Sequence, residues 1–230
     1  MKTIGLLGGM SWESTTLYYR LINEATRERR GGFHSAPIAM VSVDFAEIEA
    51  LQRSGDWVEA GARLASDARA IERAGADVLL ICTNTMHKVA DAISAAINIP
   101  LLHLADATAQ RIRADGLDRV ALLGTRFTMA ETFYRGRLEA QGLVVDVPNA
   151  RDMDLVHTVI FDELCQGVIN SESRASYSRI IDALAADGAQ GVIAGCTEIG
   201  MLVSPEDCPV PLYDTTMIHA QAAVDWALSD

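Results

Sequence analysis

Two runs of this chain end alike. Asp77-Val78-Leu79-Leu80-Ile81-Cys82-Thr83-Asn84-Thr85 and Gln190-Gly191-Val192-Ile193-Ala194-Gly195-Cys196-Thr197-Glu198 both follow a Gly-Ala turn, become apolar, and stop on a small polar side chain. Thr83 and Cys196 stand at equivalent places, and a duplicated fold would set them face to face. A thiol just past a strand, at the start of a loop or helix, meets N–H donors and a helix dipole that favour the reactive thiolate. The bland alternative is an inert core cysteine, since free Cys is commonly buried. A threonine hydroxyl is far too weakly acidic to act as a free base at neutral pH. Its bland reading is a capping hydroxyl for the helix that carries His87 and Val89. Cys82 precedes Thr83 directly, and neighbours in a strand point to opposite faces.

The remaining chemistry-bearing residues narrow the choices. Gly8-Gly9 follows a first apolar run, but Gly5-Leu6-Leu7-Gly8-Gly9 lacks the G-x-G-x-x-G spacing of a dinucleotide site, and Asp44 does not rescue it. A small carboxylate suits such a turn better, because helix N-termini offer unpaired N–H groups. Lys2 and Lys88 are the only lysines, one at the extreme N-terminus and one on a presumed helix, which speaks against a pyridoxal phosphate Schiff base. No HExxH or CxxC spacing suggests a metal. With no cofactor expected, charge developing on a substrate must be met by preorganised hydroxyl and N–H donors. The loops holding Asn84, Thr85 and Thr197 can supply them. His87 reads as a hydrogen-bonding helix residue rather than a direct proton carrier. Glu198 can orient Cys196, contact a substrate amino group, or simply favour a helix N-terminus.

These loops must be positioned by strands. Short β-rich runs near 3–8, 38–44, 77–82, 100–103, 119–124, 143–147, 190–195 and 210–213 alternate with helical stretches such as Trp57–Ala74, Ser173–Ala186 and Thr215–Leu228. Continuous apolar strands alternating with helices imply parallel sheets covered on both faces. Gly8 matches Gly124, Gly75 matches Gly188 and Pro100 matches Pro211, a spacing of roughly 110 residues that means two structural halves, not a solenoid. The expectation is an α/β protein of two pseudo-symmetric, doubly wound parallel-sheet domains, residues 1–114 plus 213–230 and residues 115–212. Open α/β sheets bind ligands at the carboxyl ends of their strands. Gly8-Gly9-Met10-Ser11, Thr83-Asn84-Thr85, Gly124-Thr125 and Cys196-Thr197-Glu198 all fall there, so a cleft between the halves can be lined by Met10, Ser11, Thr125 and the rest.

Composition excludes some partners. Half of the 230 residues are hydrophobic and the net charge is −12, unsuited to phosphate backbones or anionic membranes. The first apolar run is too short for a signal peptide, and no 18-residue apolar span exists. Four cysteines without paired spacing fit free thiols in a reducing cytoplasm.

Four motifs carry a resemblance to a known family. Thr83-Asn84-Thr85-Met86-His87 resembles the CNTxH motif of the aspartate/glutamate racemase superfamily, and Gly195-Cys196-Thr197-Glu198-Ile199 resembles its GCTEI motif. Ile4 to Ser11 and Leu122 to Met129 are likewise similar, so the likeness covers essentially the whole chain. It implies a cofactor-independent racemase with two α/β domains, usually dimeric, in which two cysteines flank the substrate α-carbon. One acts as thiolate base and the other as thiol acid. By the same resemblance the substrate carboxylate is held by Asn84, Thr85 and Thr197.

The chain departs from the common pattern at Thr83, which stands where Cys is usual. That resembles the L-aspartate/glutamate-specific subgroup with a Thr/Cys pair. The implied roles are Cys196 as base toward the L-enantiomer and Thr83 on the opposite face, giving or relaying a proton, with L-to-D turnover favoured kinetically. Cys165 takes the place of a Lys that in many relatives binds the side-chain carboxylate, which leaves strict preference for acidic substrates open. Gln52 and Arg53, read as loop residues after the second strand, are other side-chain contacts, although Arg53 reads more simply as a solvated charge. Rival readings are a broad-specificity racemase, another carbanion-type isomerase on the same scaffold, and a catalytically weak amino-acid binding protein.

Overall fold

The structure is a computed structural model and describes residues 1–229. It consists of two compact units, residues 1–104 with 219–230 and residues 105–218.

The first unit begins with β1 (Ile4–Gly8), α1 (Trp12–Arg30), β2 (Ile38–Ser42), α2 (Phe45–Ser54), α3 (Trp57–Arg73) and β3 (Val78–Ile81). A 3-10 turn (Thr85–Val89) leads into α4 (Ala90–Ser94), after which the chain enters the second unit along α5 (Leu104–Ala114). The strands form a parallel sheet in the order β2-β1-β3. Alternation along the strands sorts their side chains to two faces. Leu7, Leu79 and Ile81 pack with Leu64, Ala68 and Ile71 of α3. Ile4, Leu6, Val78, Leu80 and Cys82 pack with Tyr18 and Ile22 of α1 and with Ala220, Ala223 and Val224 from the C-terminal helix. Cys82 therefore does point into the core, and burial pushes its thiol far up from the ordinary value.

The second unit contains β4 (Arg119–Gly124), α6 (Arg126–Ala130), α7 (Thr132–Ala140), β5 (Val144–Asp146), α8 (Ala150–Asp162) and a 3-10 turn at Leu164–Gln166. It continues through α9 (Ser171–Ala186), β6 (Val192–Gly195), α10 (Ile199–Leu202), a 3-10 turn at Pro205–Asp207, β7 (Leu212–Asp214) and the start of α11 (Thr215–Leu228). All pairings are parallel, in the order β5-β4-β6-β7.

The expected repeat is visible in both sheets. β1, β2 and β3 have the connectivity of β4, β5 and β6. The counterpart of β7 is the segment expected to be a strand at 100–103, which makes only a single parallel bridge, Leu79 to Leu101. Its bonds nevertheless match: Leu79 N–H donates to Pro100 O and Val192 N–H to Pro211 O, each at 2.9 Å. Leu102 returns one further bond to Leu79 O, and α5 starts two residues later, leaving no room for a longer ladder.

The units divide at 104/105 and 218/219, whereas the sequence placed the junctions at 114/115 and 212/213. α5 is held in the second unit by Arg137 of α7, whose guanidinium donates to both oxygens of Asp106 at 2.8 Å. Tyr213 adds a bond to Asp115 at 3.0 Å. Residues 215–218 stay there because Thr215 donates to Ala194 O at 2.8 Å. From His219 onward α11 packs in the first unit. Among the described residues no helix is long and apolar enough to cross a membrane.

Candidate active site

In the first unit the register sets Leu7 beside Ile81, so the loops leaving β1 and β3 start side by side at the carboxyl edge of the sheet. The β1 loop depends on glycine. Gly9 has φ of +89°, and the backbone of Val43 occupies the space a Cβ would need. Its N–H donates to Thr15 Oγ1 at 2.7 Å, while Ser11 caps α1 by accepting from Ser14 N at 3.2 Å. Met10 is buried in the α3-side core.

Thr83, half-buried, stands between the core residue Cys82 and the buried Asn84 and Thr85. Two bonds hold this loop from beneath. Ser14 donates to Cys82 O at 2.8 Å, and His87 Nδ1 lies 2.8 Å from Thr83 O. Leu104 N–H donates to His87 Nε2 at 3.2 Å, so Nε2 is an acceptor and the Nδ1 proton goes to the Thr83 carbonyl. His87 is thus a hydrogen-bonding residue in a 3-10 turn. Its ring adjoins two more buried imidazoles, His103 at 4.5 Å and His219 at 6.0 Å between centroids. His219 donates from Nε2 to Leu102 O at 2.8 Å and accepts at Nδ1 from Tyr18 O–H at 2.9 Å.

Gln52 and Arg53 lie in the last turn of α2, not in a loop. Asp44 caps that helix through Ala46 N, and the apolar positions Ile48 and Leu51 seat it against the sheet. Gln52 is buried and donates to Met86 Sδ at 3.0 Å. Arg53 is exposed and pairs with Glu49 at 3.0 Å, the solvated charge its surroundings suggested.

In the second unit the corresponding loops leave β4 and β6, whose ends meet at the register pair Gly124 and Gly195. A Cβ on Gly124 would come to 2.9 Å from Gly195 O, and one on Gly195 to 2.8 Å from Leu123 O. Only glycine at both positions lets the strands carry Thr125 and Cys196 out together. Thr125 is the N-cap of α6, accepting from Thr128 N at 3.3 Å. Thr197 and Glu198 are both buried and Cys196 is partly exposed. The Cys196 thiol donates to Glu198 Oε2 at 2.9 Å.

The expected lowering of the Cys196 thiol pKa is reversed. Burial, then the Glu198 carboxylate, then Cys165 push it well above the ordinary thiol value. α10, which follows, has only four residues and offers little dipole against them. Cys165 lies on the 3-10 turn that packs against α10.

The sequence reading missed Ser14, Tyr18, His103 and His219 as supports of the Thr83 loop. Tyr18 and His219 are separated by 201 positions, and no local pattern marks either. Among the described residues no three His, Cys, Asp or Glu side chains gather as metal ligands.

Two parallel-sheet α/β units thus carry hydroxyl, amide and thiol groups in the loops at the ends of their strands. The chain belongs to the Asp/Glu/Hydantoin racemase family, whose description matches residues 7–223. It is 54% identical, over the full length of both chains, to a solved Yersinia pestis protein provisionally assigned as an Asp/Glu racemase, with a TM-score of 0.94. An aspartate racemase homologue from Pyrococcus horikoshii OT3 is 33% identical over the full length of both, with a TM-score of 0.87. The broad specificity amino-acid racemase RacX of Bacillus subtilis (strain 168) is 20% identical over 98% of each chain.

Proposed function

We propose that this chain interconverts L- and D-aspartate or glutamate by two-base proton transfer at Cα, running faster from L to D. Cys196 takes the Cα proton of the L-enantiomer, and Thr83 gives or relays a proton on the opposite face. Asn84, Thr85 and Thr197 hold the α-carboxylate; Met10, Ser11, Gln52 and Thr125 complete the surroundings. Removing a proton from one face and supplying one to the other is what inversion requires, and only the thiol side offers an effective base. The observation that carries the reading is the pairing of two strand-end loops, Thr83-Asn84-Thr85 and Cys196-Thr197-Glu198, at matching places in two like sheets of a racemase-family chain. Incubation with L-aspartate in D₂O, without added pyridoxal phosphate, is expected to incorporate deuterium at Cα, and Cys196→Ser to abolish it. Exchange that survives this substitution would remove Cys196 as the base, and tight binding with no exchange would make the protein a binder.

A broader amino-acid scope is the second reading. It is favoured by Cys165, which supplies no cation for a side-chain carboxylate, and by the likeness to RacX. A panel of acidic and neutral L-amino acids followed by chiral chromatography separates the two. We also propose, on the family resemblance, a cytoplasmic homodimer; light scattering that returns a monomer mass removes it.

A further inference from the structure

We infer that Glu198 is the positioning residue for Cys196, holding the thiol proton and receiving it when the thiolate forms, rather than a ligand of the substrate. The catalytic half of this inference rests on the racemase reading above; the thiol chemistry does not.

The argument begins with charge. Cys196 Sγ and Glu198 Oε2 are 2.9 Å apart, with the sulfur donating. The turn that brings them together is closed by Ile199 N–H on Cys196 O at 3.1 Å and Met201 N–H on Glu198 O at 3.0 Å. Glu198 is only 7% exposed, so this contact is made largely out of water.

Cys165 stands on the neighbouring 3-10 turn and adds to the raising of the Cys196 thiol, and Tyr177 of α9 is raised by burial, then by Cys196, Glu163 and Cys165. Asp214 Oδ2 lies 3.1 Å from where a Cβ on Gly200 of α10 would sit. Losing the thiol proton to solvent would place two negative charges in contact, which disfavours ionisation. Passing the proton to Oε2 avoids this. The S–H bond breaks, an O–H bond forms, the electron pair stays on sulfur, and the pair still carries one negative charge. The thiolate so formed is the base, and Glu198 keeps the thiol aimed until then.

Two measurements test this. The first is alkylation of Cys196 by iodoacetamide as a function of pH, followed on the Cys196 peptide by mass spectrometry so that Cys165 is counted apart. Glu198→Gln is expected to lower the midpoint by about one pH unit or more, because the like charge is gone. Glu198→Asp keeps the charge and is expected to keep the midpoint within about half a unit of wild type, which guards against a misfolded amide variant. The second is steady-state racemisation of an acidic amino acid. Glu198→Gln is expected to lower kcat about tenfold or more, with KM changed less than about threefold. An unchanged alkylation midpoint in Glu198→Gln would overturn the inference, as would a large rise in KM with kcat intact, the mark of a substrate ligand. If wild type shows no exchange on any amino acid yet the midpoint shift appears, the pairing stands and the racemase reading falls.

Discussion

Thr83 and Cys196 differ in what their side chains can do with a proton, and that difference has a direction. A thiol reaches its anion at a cost a threonine hydroxyl cannot match, so one face of the substrate is served by a base and the other by a group fit mainly to donate or relay. Substituting Thr83→Cys gives both faces a thiol. Measured by chiral chromatography from each enantiomer, D-to-L turnover is expected to rise relative to L-to-D, while the equilibrium ratio stays at one. An unchanged ratio of the two rates removes Thr83 from proton transfer. The residue types and their placement after apolar runs were legible in the sequence. The state of Cys196 was not, because it depends on the Glu198 carboxylate folding back upon it, and a motif does not show the direction of a side chain.

Every candidate side chain but Gln52 is delivered by a loop leaving a strand end, and the β4 and β6 ends meet under tight steric terms. Gly195 pairs with Gly124, and a methyl group on Gly195 would stand 2.8 Å from Leu123 O and 2.9 Å from Leu122 Cδ1. Backbone cannot yield as a flexible side chain can. Gly195→Ala is therefore expected to destabilise the protein by about 1–3 kcal/mol, read as a lower midpoint in urea, and to misplace Cys196 so that its alkylation rate changes. An unchanged midpoint would mean that the β4 and β6 ends are looser than these contacts require. At this scale the sequence did well where periodicity is long: α3 and α9 fall within two residues of expectation and α11 on it. It did less well where a run is short. Residues 100–103 read as a strand, yet only Leu101 bridges the sheet, since α5 begins at Leu104. Gln52 and Arg53 read as loop, yet Asp44 caps a helix through them.

In the first unit the buried histidines give the fold a dependence on pH. His219 is fully buried beside Tyr18 and His87, and burial, then the nearby His87, hold it neutral, its pKa pushed down to about 3 from 6.5. An unfolded chain binds a proton there below pH 6.5 that the folded chain refuses until about pH 3. Stability is therefore complete above pH 6.5 and falls as pH is lowered through that window, by about 1.4 kcal/mol per unit for this group. In the second unit the half-buried His157 acts in the same sense, its pKa also lowered by burial. Urea unfolding between pH 7 and pH 4.5 is expected to show this decline, and His219→Asn is expected to flatten it even if the variant is less stable overall. A variant with the wild-type slope would mean that His219 does not carry the effect.

The amino-acid order alone determined the class. Alternating apolar runs and amphipathic stretches require parallel sheets covered by helices, and three matching segment pairs require two like halves, because hydrophobic periodicity and turn chemistry act over a few residues. Tertiary structure decided the rest. It placed α5 with the second unit through Arg137 and Asp106 and brought Tyr18 to His219. Those outcomes depend on burial, which raises or lowers a proton affinity only after distant segments have excluded water, and no window of sequence contains both partners of a contact made across the chain.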